Sequence, residues 1–190
     1  MRKLVLQPSI LALWHALVND AENAAQQPLD QELESYLVFL LMRHSDRPEI
    51  AKQVMALDYL NSMHAFGQLR ARLLREVADN RLLYAGLYPQ QAQRRQVQSD
   101  YFINLGRSAY LHLAEITREN IAELYSHLSQ AFVQVMDVLS AIRHFTNKPN
   151  KQQLLLLHDL WQKSGSQYSY RQLLDLEPAM ALHPSGAIHH

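Results

Sequence analysis

The clearest pattern in the chain is a helical repeat of apolar residues between positions 119 and 145. Apolar side chains recur there at spacings of three and four residues, namely Ile121, Leu124, Tyr125, Leu128, Phe132, Val135, Met136, Leu139 and Ile142. Polar residues, among them His127 and Asp137, occupy the opposite side. A period of 3.6 residues places such positions on one face of an α-helix. The pattern therefore predicts one long amphipathic helix over residues 119–145, with its polar face toward water.

The N-terminal half divides into further helices at its prolines and capping residues. The first is predicted over residues 8–25, because proline is tolerated in a first turn. The second begins near Asp30 and ends before Pro48, with acidic residues in its first turn and basic residues in its last, as the helix dipole favours. A third begins at Pro48, and its pattern can continue past Gly67 to residue 87.

The C-terminal half gives three more helices besides the long one. One is predicted from Ser99 or Asp100 to residue 116, and its inward side chains are expected to be Phe102, Leu105, Ala109, Leu113 and Ile116. Another spans residues 151–163, stopped by Ser164 and Gly165. A short last helix runs to residue 176, and Ser169 with Gln172 three residues later forms a capping box that opens it.

These helices predict one all-α domain, a helical bundle of seven to eight helices over residues 1–176. The sequence shows no period-2 strand pattern, no solenoid repeat and no linker that would separate two domains. Residues 177–190 are expected to be an extended or disordered tail. His189 and His190 end this tail and resemble an added tag, so they carry no functional hypothesis.

Composition removes several chemistries. The 190 residues include no cysteine, which excludes disulfides, Cys-ligated zinc, iron–sulfur clusters and a thiol nucleophile. The longest uninterrupted apolar block, residues 36–42, is far shorter than the roughly 20 residues that span a bilayer. Gln7, Pro8 and His15 interrupt the apolar start, so the uninterrupted apolar core of a signal peptide does not form and secretion is not expected. A cytoplasmic protein without a membrane segment is expected.

The net charge of zero conceals an uneven distribution. Residues 4–42 contain no Lys or Arg, and their acids are Asp20, Glu22, Asp30, Glu32 and Glu34. Residues 70–107 contain seven arginines and only three acids. Arginine suits bidentate contacts with carboxylate or phosphate, so one interpretation is an anionic ligand or partner at residues 70–107. The alternative is that the two charged segments pair, within the chain or across a homodimer.

Residues 80–110 are the best candidate for a ligand site. They combine tyrosines and arginines around a Tyr–Pro turn, and the predicted ligand-binding residues are Tyr88, Arg94, Arg95, Tyr101 and Arg107, with His64 as a further member. The alternative is a helical corner at which the tyrosines pack as edges of the core. His64 lies on an otherwise apolar or small row, so it is expected to be partly buried, either in a pocket or as a hydrogen-bonded core histidine.

Other recognised chemistries lack their motifs. Phosphate-binding glycine loops, HExxH and Glu-x-x-His pairs do not occur, so neither a metal nor a cofactor is predicted, and no GxSxG elbow is present. Residues 151–176 vaguely suggest a helix-turn-helix, but the last helix has one basic residue, Arg171, beside Asp175 and Glu177. This charge balance argues against nucleic acid as a partner.

The leading hypothesis is a non-catalytic protein-interaction module that self-associates, as a homo-oligomer or with another protein. It depends on the charge asymmetry and on the apolar block at residues 36–42. The alternative is a protein that binds a small anionic ligand, or an enzyme, with a pocket between helices near residues 80–110. Whether the chain is an enzyme stays open at this point.

Overall fold

A computed structural model describes residues 9–46, 62–90 and 99–178. In these ranges the chain forms eight α-helices, one short 3₁₀ helix and no strand, which confirms the all-α prediction. The helices are α1 (Ile10–Ala25), α2 (Gln31–Asp46), α3 (Gly67–Leu87), α4 (Ser99–Ile116), α5 (Glu119–Gln130), α6 (Phe132–Thr146), the 3₁₀ helix (Lys151–Gln153), α7 (Leu154–Ser164) and α8 (Gln167–Leu176). None of the helices described is long and apolar enough to cross a membrane.

Several helix ends lie where the capping residues predict them. The Ser9 hydroxyl accepts a hydrogen bond from the Ala12 N–H at 3.1 Å and caps α1. The Asp30 carboxylate accepts from two N–H groups in the first turn of α2, each at 3.0 Å. Gly165 ends α7 in the left-handed conformation, with φ of 76°.

Helix α6 is the centre of the bundle. It packs against α1, α3 and α8, and it also touches α4 and α5. Its buried positions surround the helix: Phe132, Val135, Met136, Asp137, Val138, Leu139, Ser140, Ala141 and His144. The prediction that Asp137 faces water is therefore wrong, since it is 1% exposed. The helix has neighbours on more sides than its apolar stripe indicates.

The single helix predicted over residues 119–145 is two helices, α5 and α6, which meet at Ala131. Hydrogen bonds of helical type continue through the joint, because the Ala131 N–H donates to His127 at 2.8 Å. Ala131 nevertheless departs from helical geometry, with φ of −85° and ψ of 10°. The two helices have different surroundings. Helix α5 buries one face, whereas α6 is buried on most of its sides. Both parts share the same period, so the sequence pattern does not reveal the joint.

Two other predicted boundaries are also wrong. The chain leaves helical geometry at residues 65–66, and α3 begins at Gly67, whose φ of 57° favours glycine. A helix continuing through Gly67 is thereby excluded. The last helix begins after Ser166, one turn before the predicted cap, because the Ser166 hydroxyl accepts the Ser169 N–H at 3.0 Å. Ser169 is a buried member of the first turn.

Two glycines allow close helix packing in the bundle. A Cβ atom on Gly86 of α3 would lie 2.4 Å from the Cβ of Leu139. A Cβ atom on Gly106 of α4 would lie 2.5 Å from the ring of Phe132. Both distances are too short for any side chain, so α3 and α4 approach α6 through these glycines. The absence of a side chain at Gly106 permits this close packing of two helices.

Candidate functional site

The predicted ligand-binding tyrosines lie beside a small aromatic cluster at the ends of α3 and α4. Tyr88 packs against the buried pair Tyr84 and Phe102, and its hydroxyl lies 3.0 Å from Nε2 of His44. Tyr101 is exposed, and its ring contacts Phe102 edge-on at 5.8 Å. These contacts are those of tyrosines at the edge of a core, which was the alternative interpretation of this segment.

The other predicted members do not gather at one described cavity. Arg107 donates through Nε to the Ser129 carbonyl at 3.1 Å, and the Ser129 hydroxyl donates to the Arg107 carbonyl at 2.9 Å, so the pair joins α4 to α5. His64 is exposed, and the expectation that it is partly buried is wrong because the helical row that carried it breaks at residues 65–66. Arg94 and Arg95 lie outside the described residues. Ligand binding by these residues stays a prediction.

A buried carboxylate, Asp79 of α3, organises a polar cluster that the sequence did not reveal. It accepts hydrogen bonds from the hydroxyls of Tyr36 at 2.5 Å and Tyr110 at 2.8 Å. Arg43 of α2 donates to its other oxygen at 3.0 Å. The rings of Tyr36 and Tyr110 also meet edge to face at 6.2 Å, and Tyr125 of α5 lies against both rings. Four helices therefore contribute to one cluster.

Burial controls the ionisation of this cluster. Burial raises the pKa of Asp79, although the hydrogen bond from Tyr36 and the charge of Arg43 act in the opposite direction. The pKa values of Tyr36 and Tyr110 are raised well above their ordinary value, first by burial and then by the nearby Asp79. Both hydroxyls therefore keep their protons at neutral pH and act as hydrogen-bond donors.

Arg75 borders the same cluster from the protein surface. Burial lowers its pKa, but the nearby Tyr125, Asp79 and Tyr36 outweigh this and raise it overall. The guanidinium is therefore charged at any physiological pH. Arg43 and Arg75 together supply two positive charges around a single carboxylate, so the cluster has an excess of positive charge.

A pocket of about 480 Å³ opens outward from Arg75. Its walls come from the first turns of α3, from the end of α4 and from α5. The polar side chains that line it include Gln68, Arg72, Arg75 and Tyr125, and the apolar ones include Leu69 and Leu113. The pocket has a cationic floor and a partly apolar wall.

An apolar groove of about 500 Å³ lies next to this pocket, between the start of α3 and the corner that joins α4 to α5. Three large apolar side chains line it and are open to solvent: Phe66 at 87% exposure, Ile121 at 52% and Ile116 at 39%. Arg70 and Arg118 line the same groove. We call this feature the apolar groove below. The sequence placed Ile116 and Ile121 inside the bundle, and the structure places both at its surface.

A second buried carboxylate, Asp137 of α6, holds the start of α8. Its Oδ1 accepts from the Ser166 hydroxyl at 2.5 Å, and its Oδ2 accepts from the Tyr168 N–H at 3.1 Å. Burial raises the pKa of Asp137 to about 6, although these hydrogen bonds act in the opposite direction. Its contacts are all with structural groups, so we assign it to stability.

In the described part of the chain, no group of three or more His, Asp or Glu residues is placed to hold a metal ion.

Comparison with protein-family models, curated proteins and solved structures gives no match for this chain. The contacts and charges described above are therefore the only basis for a function.

Proposed function

We propose that this chain is a self-associating protein-interaction module that uses the apolar groove as its docking surface. The occupant is the acidic surface of α1 and α2 on a second copy. The observation that carries the proposal is that three large apolar side chains line a groove that also holds two arginines. A groove of this kind suits a partner surface that is both apolar and acidic.

The apolar part provides the driving force. Phe66 is almost fully exposed, and Ile121 is exposed by more than half. Fully burying a side chain of this size stabilises a complex by about 1.5–3 kcal/mol. A contiguous apolar patch on a soluble domain commonly marks an interaction site. Covering these side chains therefore offers enough free energy to favour association.

The charged part selects the occupant. Arg70 and Arg118 line the groove, whereas residues 4–42 contain no Lys or Arg. Glu32 is exposed on α2, and the exposed Phe39 follows it two helical turns later on the same face. The α2 surface thus presents an acid and a large apolar residue together, which complements the groove. Opposite charges of this kind fix the partner and speed the encounter.

Other acids of the same segment are already engaged within the chain. Asp30 lies 3.1 Å from His127, and Glu34 lies 2.9 Å from His15. These pairs partly support the alternative that the acidic segment pairs internally, although their partners are histidines rather than the arginines of residues 70–107. Glu32 is therefore the better acid for contact with a second copy.

A charge swap tests the proposal. We expect Arg118→Glu and Glu32→Arg each to weaken self-association by about 10-fold, which is the effect of roughly 1.4 kcal/mol. The double variant, which restores an opposite pair, should recover most of the affinity. Light scattering and sedimentation equilibrium measure the mass, and Asp175→Arg on α8 is a matched control that should behave as the wild type.

The outcome that contradicts self-association is a monomer at concentrations up to about 100 µM, where a contact of about 5.5 kcal/mol would be half formed. If the protein associates but Arg118→Glu, Glu32→Arg and Phe66→Ser all leave the association unchanged, the interface lies elsewhere. That outcome would refute the assignment of the groove.

A further inference from the structure

We infer that the pocket above Arg75 is a binding site for a small organic anion, one that carries a carboxylate or phosphate group on a short apolar body. The pocket adjoins the apolar groove and shares Gln68, Ala71 and Thr117 with it, but Arg72, Arg75 and Tyr125, which carry the inference, line the pocket alone. This pocket is not the anion site that the sequence predicts near residues 80–110, because the residues differ. The two sites agree only in the kind of ligand, a small anion.

The first support is the charge at the floor of the pocket. Arg43 donates to Oδ2 of Asp79, and Tyr36 and Tyr110 both donate to Oδ1, so three donors already hold this carboxylate. Arg75 adds a second positive charge beside a single negative one. An anion bound in the pocket would neutralise this excess and would lie against a cation that the cluster already orients.

The second support is an unsatisfied donor. The Nε atom of Arg75 is buried and has no hydrogen-bond partner. Leaving a buried donor unpaired costs about 1–3 kcal/mol, and more for a charged group. Because this Nε atom is shielded from solvent, a ligand oxygen reaches it only after a small movement of the Arg75 side chain, and pairing it would then remove the cost. The guanidinium geometry favours a group with two or more oxygens that can bind as a fork.

The third support is a second cation at the rim. Arg72 lies 3.9 Å from Glu76 one turn later, and both side chains are exposed. An exposed pair of this kind contributes little, on the order of 0.3–0.5 kcal/mol, so Arg72 can exchange Glu76 for a ligand. Gln68 adds a neutral amide donor at the rim, and Leu69 with Leu113 supplies apolar wall. This combination suits a small anion with a short apolar body.

The test is a titration of the full chain with two probes, butyrate and phenyl phosphate, followed by the ¹H–¹⁵N signals of the arginine Nε–H groups. We expect the Arg75 signal to shift with saturation at millimolar probe. A response to butyrate alone identifies a carboxylate site, and a response to phenyl phosphate alone identifies a phosphate site. No saturable shift of Arg75 with either probe overturns the inference.

Variants separate a binding role from a structural one. Arg75→Lys keeps the charge but loses the fork, so we expect affinity to fall by about 10-fold while the fold is retained. Arg72→Gln, at an exposed position, should weaken binding by about 3-fold without changing stability. Lys148→Gln, at an exposed cation that lines neither the pocket nor the groove, should bind the probes as the wild type does. Unchanged affinity in both Arg75→Lys and Arg72→Gln overturns the inference, whatever the oligomeric state proves to be.

Discussion

Asp137 makes a contribution to stability that should fall as the pH rises from about 4 to about 7, whereas His144, whose pKa burial lowers to about 3, contributes in the opposite direction over the same range. The pKa of Asp137 is about 6 in the folded chain, against an ordinary value of 3.8. Between pH 4 and pH 6 the Asp137 carboxyl therefore holds its proton more strongly in the folded chain than in the unfolded chain. The stabilisation is therefore complete below about pH 4 and is lost as the pH passes through 6.

The magnitude follows from the size of the shift. A shift of about two pH units, at 1.36 kcal/mol for each unit, corresponds to about 3 kcal/mol of unfolding free energy between pH 4 and pH 7. Asp137 is 1% exposed, so solvent screening does not reduce this value appreciably. Typical domains are stable by only about 5–15 kcal/mol, so the effect is large enough to measure with confidence.

Urea unfolding at half-unit intervals between pH 4 and pH 7.5 measures the effect. Asp137→Asn keeps the shape of the side chain and can still accept the Tyr168 N–H, but it cannot ionise. We expect the difference in unfolding free energy between the wild type and Asp137→Asn to change by about 3 kcal/mol between pH 4 and pH 7, whereas Asp20→Asn, at an exposed acid, should follow the wild type. Parallel curves for the wild type and Asp137→Asn would show that Asp137 ionises normally and would refute the reasoning.

Two further predictions concern packing and the buried cluster. Gly86→Ala should destabilise the protein by about 1–3 kcal/mol, because the added Cβ would overlap Leu139. Thermal unfolding measures this, and an unchanged melting temperature would mean that α3 and α6 separate easily. Tyr110→Phe should destabilise the protein by about 1.5–3 kcal/mol, because it removes a hydrogen-bond donor to Asp79. Tyr101→Phe, at an exposed tyrosine, should be neutral in the same assay, and equal effects of the two substitutions would contradict this account of the cluster.

The sequence predicts helices well where the cause is local. The start of α2 near Asp30 and the stop at Gly165 depend on groups within a few residues, and both occur as expected. Helix α1 begins at Ile10, after the cap Ser9, and not at residue 8 as predicted. The joint at Ala131 does not depend on local groups. It arises because α6 enters a space enclosed by α1, α3 and α8, and a residue pattern does not show how many neighbours a helix will have.

The candidate site is hard to predict for a related reason. Asp79 receives hydrogen bonds from Tyr36 and Tyr110, which are 43 and 31 residues away in the chain. No short motif joins such residues. A signal does exist, since Asp79 directly follows the buried Val77 and Ala78 of α3, and an acid beside core positions indicates a buried and compensated charge. That signal identifies the carboxylate, and only the fold identifies its partners.

The contact between α1 and α6 has a consequence for synthesis of the chain. Helix α1 packs on α6, and the side chains of Gln27 and Gln134 add hydrogen bonds that join the two regions across more than 100 residues. A ribosome adds about 5–20 residues each second, so the apolar face of α1 waits roughly 5–20 seconds before its partner has been made. During that interval α1 is a target for chaperones, and the bundle can close only late in translation.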